Sequence, residues 1–191
     1  HQVTIDGHTT LGEGCQVSPQ AILGTRPQDL KFAGEKTTLE IGKNNIFREM
    51  VTVHPGTGNG GGVTRIGDRN LFLIGVHIAH DCIVGSNCIF ANYVQLAGHV
   101  HVENHVNMGG NSAVHHFVTI GKHAFIGGMT RVAADVPPFV IMVAARGTRS
   151  EVRMINGVGL KRCGYSEQDI AAGAALRQAR KLTDLTFGSA G

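Results

Sequence analysis

The sequence predicts an all-β solenoid, a stack of short strands wound on a six-residue repeat and closed by a helical tail. Three observations carry that prediction. Stepping by six from Ile66 meets Phe72, Ile78, Val84, Phe90, Leu96, Val102, Met108, Val114, Ile120, Ile126 and Val132, all large and apolar. The residue after each is Gly, Ala or Glu in ten of the twelve hexads, and the fourth residue after each is Ser, Thr, Ala or Val in nine, with Asn70, Cys82 and Cys88 in the rest. Lastly, 27 Gly accompany only 16% charged residues, 5% aromatics and no Trp, a turn-rich composition without collagen's Gly-X-Y period. Repetition at a fixed period means units that bury their apolar faces only by stacking.

The elements follow in order. The phase runs through Ile5, Leu11, Val17 and Leu23 and resumes at Ile41, Phe47 and Val53. Gly24 to Thr38 interrupts it without changing the phase, whereas the Gly-rich stretch near Gly56 to Gly62 shifts it by one; both read as loops leaving a regular stack. A hexad with one large apolar and one small inward position resembles the hexapeptide repeat of left-handed parallel β-helices, in which three hexads make an 18-residue coil. That resemblance sets the expected class, a left-handed parallel β-helix over residues 1–138 with loops near 24–38 and 56–63. Cys82, Cys88 and Cys15 then fall at the small inward position and read as inert core thiols. No C-x-x-C spacing joins the four Cys, which argues against a zinc site or a disulfide framework.

The repeat is expected to stop at Asp135-Val136-Pro137-Pro138, because proline cannot donate to a ladder. Residues 139–191 are read as a short helical tail capping the last coil. Within it, Ser166-Glu167-Gln168-Asp169 has capping-box form with Asp for Glu, and Ile170 to Leu182 is Ala-rich with helical spacing.

A formal net charge of +3 without a Lys/Arg run argues against a nucleic-acid binder and for modest attraction to anionic ligands or an acidic partner. No apolar run reaches membrane-spanning length, and the first residues, which open at His1, lack signal-peptide form; a cytoplasmic protein without an integral membrane segment is expected. Eleven His raise the expectation of acid–base chemistry or metal binding. They concentrate in Val76-His77-Ile78-Ala79-His80-Asp81. Eighteen residues beyond His80 lies Gly98, beside His99, and eighteen further lies His116, beside His115, so five His fall on or near one edge of adjacent coils. His54 is a lesser candidate, and His101, His105 and His123 are expected at the surface.

His77-Ile78-Ala79-His80-Asp81, Leu96-Ala97-Gly98-His99-Val100, Ala113-Val114-His115-His116-Phe117 and the stretch Gln28 to Glu35 together resemble the UDP-N-acetylglucosamine O-acyltransferase family of the lipid A pathway. Val53-His54-Pro55-Gly56-Thr57 and Gly159-Leu160-Lys161-Arg162 extend the likeness. It implies an enzyme moving a 3-hydroxyacyl group from acyl carrier protein to the 3-position of a UDP-N-acetylglucosamine-type sugar, with no cofactor and no metal. It implies His80 as general base, Asp81 as its orienting carboxylate and Gly98 N–H as oxyanion donor. Asp29, Lys31, His77, His99, His115, His116 and Arg162 fall at or beside its substrate-binding positions. Gly128 matches the position where a small residue leaves an acyl groove open, implying a long donor near 3-hydroxymyristoyl. A homotrimer with clefts between neighbours is expected.

His116 stands where Gln is usual, Val158 where an acidic residue is expected, and Cys163 where a second Arg is expected. These departures leave open a 3-amino in place of a 3-hydroxyl acceptor. Two other readings stand beside this one: a γ-class carbonic anhydrase, which would hold zinc with three His, and a non-catalytic structural β-helix, which would show a uniform flat face.

Overall fold

The computed structural model of the chain describes residues 2–145 and 150–174. Its strands line up in three sheets of seven, six and eight members, parallel but for the last strand of the eight, and as far as Arg131–Val132 each joins the strands three places away in the chain. The chain is thus a triangular coil, a left-handed parallel β-helix, and each hexad supplies one edge. The registers turn the repeat into three inward columns. One runs Ile5, Leu23, Val53, Ile78, Leu96, Val114, Val132. A second runs Leu11, Ile41, Ile66, Val84, Val102, Ile120, and the third Val17, Phe47, Phe72, Phe90, Met108, Ile126, Met142.

From Leu23 onward these columns are buried and form one core. Phe47, Phe72 and Phe90 stack with ring centres 4.9 Å apart, each pair contributing about 0.5–1.5 kcal/mol beyond its burial. The small inward positions are occupied as expected. Cys82 and Cys88 are buried, and burial pushes their thiols up to about 12 and about 11. Asn45 and Asn70 also lie inside, where Asn45 accepts the Asn70 N–H at 2.9 Å, Asn70 accepts the Cys88 N–H at 2.7 Å, and their amides donate to Gly67 and Gly85 carbonyls. A buried amide is tolerable only when so paired.

Glycine plays a different part from the one its abundance suggests. The left-handed corner positions recur every six residues from Arg69 to Met129, and all but Gly75 carry side chains, with φ between 55° and 62°. Gly67 follows an apolar column residue instead, and a Cβ there would lie 2.7 Å from the Gly85 carbonyl oxygen. Close approach of successive coils, not turn conformation, requires that glycine.

The two loops share one corner. Leu23 pairs with Val53 and Val53 with Ile78, so these two coils are twelve and seven residues longer than the eighteen of the others. Both insertions leave between the first and second columns, at the corner where His80, Gly98 and His116 follow on later coils.

The sheet does not end at the proline pair. Val136 bridges to Ile120, and Val140–Ala144 extends the third sheet beside Phe125–Ile126. Ser150–Ile155 then pairs antiparallel with that strand. Val140–Ala144 and Ser150–Ile155 are therefore strands within the expected tail, and among the described residues helix begins only at Gly157–Arg162. Pro137 and Pro138 sit in a corner between Val136 and Val140, outside the ladder, which is why they do not stop it. Asn156 caps the helix, accepting the Gly159 N–H at 3.1 Å, and its amide donates to the His123 carbonyl at 2.9 Å. Residues 167–174 are helical, and Ser166 and Asp169 close the capping box reciprocally, at 3.1 and 3.3 Å. The expected helix beyond Ala174 lies outside the described residues.

Candidate active site

The site is built on one corner of three successive coils. His80, Gly98 and His116 follow the first-column residues Ile78, Leu96 and Val114 by two places, and Asp81, His99 and Phe117 occupy the left-handed position next to them, at φ of 59°, 62° and 62°. Such a backbone costs an L-residue roughly 1–2 kcal/mol, offset here by the contacts each makes. The Asp81 N–H donates to Thr64 Oγ1 at 2.8 Å; Thr64 is a hydroxyl set in a small inward position of the second insertion's coil.

Asp81 is the electrostatic centre. Its side chain is fully buried. Oδ1 accepts the Thr57 N–H at 2.8 Å, while Oδ2 accepts Thr57 Oγ1–H at 2.7 Å and His80 Nδ1–H at 2.7 Å. A carboxylate only accepts, so the proton lies on Nδ1 and Nε2 of His80 carries the lone pair. The ring rests on Gly98, where a Cβ would sit 2.5 Å from Cε1 and 2.7 Å from Nε2. Gly60 is required similarly, since its Cβ would meet the Asp81 carboxylate at 2.0 Å. The Gly98 N–H has no acceptor among the described residues, because the ladder takes the N–H groups of Ala97 and His99 and passes over the residue between.

A surface hollow of about 420 Å³ opens in front of His80 and Gly98, lined also by Gln28, His77, Gln95, Ala113 and His116. Behind it, His77 Nδ1 and Thr52 Oγ1 are 2.7 Å apart, and the His54 and His77 rings meet edge to face at 5.0 Å. Burial, then the neighbouring His77 and His80, lowers His54 to about 4; burial also lowers His77, followed by His80. His54 is 5% exposed and its Nδ1 has no partner among the described residues. Both rings are therefore neutral near pH 7.

The expected residues divide. His77, His80, Asp81, Gly98 and His116 come together at or directly behind the hollow. His99 stands beside them, its ring edge to face with His80 at 5.1 Å and stacked on Phe117 at 4.4 Å. His115 is exposed and packs on His116 with ring centres 3.8 Å apart. Asp29 and Lys31 do not line the hollow: Asp29 Oδ1 accepts the Lys31 N–H at 2.9 Å in a tight turn, and their neighbour Gln28 is the loop residue that does. Arg162 lies in another cleft, of about 380 Å³, with Asn87, His105, His123, Val158 and Cys163. Gly128 is on a third corner, its Cβ position 3.3 Å from the Gly110 oxygen.

Sequence reasoning missed Thr57, Thr64 and Gly60, and assigned Gln28 no role. The one signal for them was the register of the insertions, which places both loops at the His80 corner. His123 departs from the surface expectation: it is 8% exposed, stacked between His105 at 4.7 Å and Phe139 at 5.5 Å.

Among the described residues two groups bring three metal-type donors within 4.8 Å of one another, His80, Asp81 and His99, and His105, His123 and Cys163. In the first, both Asp81 oxygens are already taken by protein donors. In the second, the imidazole planes differ by 2°, so no single point lies in both ring planes, where the nitrogen lone pairs point.

The profile "Bacterial transferase hexapeptide (six repeats)" matches residues 64–98, and "Udp N-acetylglucosamine O-acyltransferase; Domain 2" matches residues 135–183. The chain is similar to LpxA from Acinetobacter baumannii, with TM-score 0.76 and 35% identity over all of this chain and 81% of that one. It belongs to the UDP-N-acetylglucosamine O-acyltransferase family.

Other members of this acyltransferase family lie near in sequence and shape. An acyl-[acyl-carrier-protein]--UDP-N-acetylglucosamine O-acyltransferase from Nautilia profundicola is 51% identical over 163 residues, 85% of this chain and 62% of its own length. The UDP-N-acetylglucosamine acyltransferase of Francisella novicida superposes with TM-score 0.90 at 36% identity, over 93% of this chain and 64% of that one. The chain thus spans under two thirds of these two relatives. Neither a zinc carbonic anhydrase nor a structural β-helix is favoured by this membership. No helix among the described residues is long and apolar enough to cross a membrane.

Proposed function

We propose that the chain transfers a 3-hydroxyacyl group from acyl carrier protein to the 3-hydroxyl of UDP-N-acetylglucosamine, as the names of its relatives describe. The observation that carries this reading is the His80–Asp81 pair at a hollow that His80 lines together with Gly98, whose N–H has no acceptor among the described residues.

A sugar hydroxyl attacks a thioester only as it loses its proton. His80 Nε2 takes that proton, and Asp81 stabilises the imidazolium and holds the ring plane. The hydroxyl oxygen bonds to the thioester carbon, whose carbonyl oxygen becomes the oxyanion received by the Gly98 N–H. The imidazolium then returns its proton to the leaving thiolate of the carrier. Neutral His77 and His54 keep a second positive charge away from that imidazolium. No cofactor enters this scheme. A 3-amino acceptor would use the same groups and remains the second reading for the departures at His116, Val158 and Cys163.

Gln28, Asp29 and Lys31 serve the nucleotide-sugar, with His99, His115 and His116 along the same edge. Arg162 and Gly128 stand on other corners, which supports a homotrimer in which one chain's His80 corner faces another corner of its neighbour. Large exposed side chains on these edges, Phe117 at 70% and Met129 at 77%, fit such an assembly, and sedimentation at three chain masses checks it. We place the reaction in the cytoplasm, with an acidic carrier protein drawn by the modest basic excess. The deciding experiment mixes the protein with 3-hydroxyacyl carriers of several lengths and with both UDP sugars, and reads products by mass; an acylated UDP sugar at the parent rate in His80→Ala would sink the assignment.

A further inference from the structure

Two loops meet behind His80, and one carboxylate joins them. Glu35 belongs to the loop that carries Gln28, Asp29 and Lys31. Its Oε1 accepts the Gly58 N–H at 2.7 Å and its Oε2 accepts the Ala33 N–H at 2.9 Å. These backbone donors, Gly58 first, lower the Glu35 carboxyl below its ordinary value. Gly58 adjoins Thr57, which is 2% exposed and gives both its backbone and its hydroxyl proton to Asp81. The turn is closed by the Gly60 and Gly62 N–H groups on the Thr57 carbonyl, at 3.0 and 2.9 Å. A Cβ at Gly60 would lie 2.0 Å from the Asp81 carboxylate, and one at Gly58 would lie 3.0 Å from Glu35. The short turn Gly58–Gly60 therefore touches two carboxylates, Glu35 at Gly58 and Asp81 at Gly60.

We propose that Thr57 is a positioning residue for the His80–Asp81 pair, and that Glu35, by holding Gly58, ties its setting to the loop over the hollow. The physical reason is the shared acceptor. Asp81 Oδ2 receives Thr57 Oγ1–H and His80 Nδ1–H together, so the hydroxyl fixes the carboxylate's rotation and through it the plane of the imidazole and the direction of Nε2. A loop drawn toward an acceptor in the hollow pulls on Gly58 through Glu35 and so on the hydroxyl that sets Asp81. This rests on the acyl-transfer reading for its kinetic consequence alone.

The test uses the whole chain and its Thr57→Val, Thr57→Ser and Glu35→Ala variants. The Nδ1 proton shared by His80 and Asp81 is followed by proton NMR, assigned by its loss in His80→Ala. Thr57→Val and Glu35→Ala are expected to displace that resonance, while Thr57→Ser, which keeps the hydroxyl, restores the parent position. In the acyl-transfer assay Thr57→Val should lower kcat about tenfold, the scale of one hydrogen bond to a charged group, with KM for the UDP sugar little changed. Glu35→Ala should both lower kcat and raise that KM. If Thr57→Val does not fold, Thr57→Ala removes the same hydroxyl without placing a methyl against the carboxylate. An unmoved resonance in a folded hydroxyl-free variant overturns the positioning role, and an unmoved resonance in Glu35→Ala overturns the link to the loop. Displaced resonances with no acyl transfer by the parent would instead fell the functional reading and leave the positioning intact.

Discussion

Two corners of this coil carry columns of aromatic rings with histidine, and only one has the makings of a catalyst. At the first, His80, His99 and Phe117 follow one another with ring centres 5.1 and 4.4 Å apart. At the second, His105, His123 and Phe139 do so at 4.7 and 5.5 Å. Left-handed corner residues recur in both. What differs is the company: the first corner has a buried carboxylate, an insertion whose Thr57 satisfies it and a glycine that admits the ring. The second has ring packing and the Asn156 bond to the His123 carbonyl. Histidine density therefore does not distinguish the site; a desolvated acceptor aimed at one ring nitrogen does.

That contrast can be broken by substitution. His80→Ala should lower turnover by roughly 10² to 10⁴-fold with folding intact, measured as acyl-transfer kcat beside far-UV circular dichroism. Gly98→Ala should cost about 10²-fold, because its Cβ enters the imidazole's place and a ring displaced by about 1 Å loses its line of attack; activity within twofold of the parent would mean the ring has other room. Gly128→Met is expected to move donor preference toward shorter chains by about tenfold, since a few buried methylenes at about 0.8 kcal/mol each are at stake; competition between carriers of two lengths reads it directly. His105→Ala should change turnover by less than about twofold and stability by roughly 1 kcal/mol, the scale of one ring contact. A large activity loss there would erase the distinction between the corners.

The pH response sharpens it differently. His54 is held neutral to about 4 by burial, against 6.5 for a free imidazole. Below pH 6.5 the unfolded chain binds a proton the folded chain refuses, so this stability is fully present above about pH 6.5 and is lost as pH falls toward 4. The loss amounts to about 3 kcal/mol at most, and His77, also lowered, acts in the same direction. Thermal unfolding at pH 7 and 4.5 should show a drop that His54→Gln reduces.

Most of the fold was legible because the apolar phase at six is a direct image of the three columns, down to the inward cysteines. The proline pair misled, since a proline in a corner interrupts nothing; only pairing with Phe125–Ile126 reveals that Val140–Ala144 is strand. At the site, His80, Asp81 and Gly98 could be read through the eighteen-residue coil. Thr57 could not, because its role depends on how far a loop folds back, which no local pattern encodes; Thr64 sits two places before Ile66 in a strand, and the hexad phase does not say which N–H its hydroxyl receives. Asp29 and Lys31 rest on the resemblance alone, and within one chain the turn that they form sets Gln28 at the hollow beside them.

The paired insertions have an evolutionary consequence. Twelve residues enter after Leu23 and seven within the following coil, and on both sides the ladder resumes in register. A corner of this kind works as a cassette port: segments can be lengthened, exchanged or deleted there while the inward columns carry on unaware. Loops at the mouth of the hollow can then be exchanged without disturbing the residues that hold the scaffold, provided that the replacement for the second still presents a donor to Asp81 as Thr57 does.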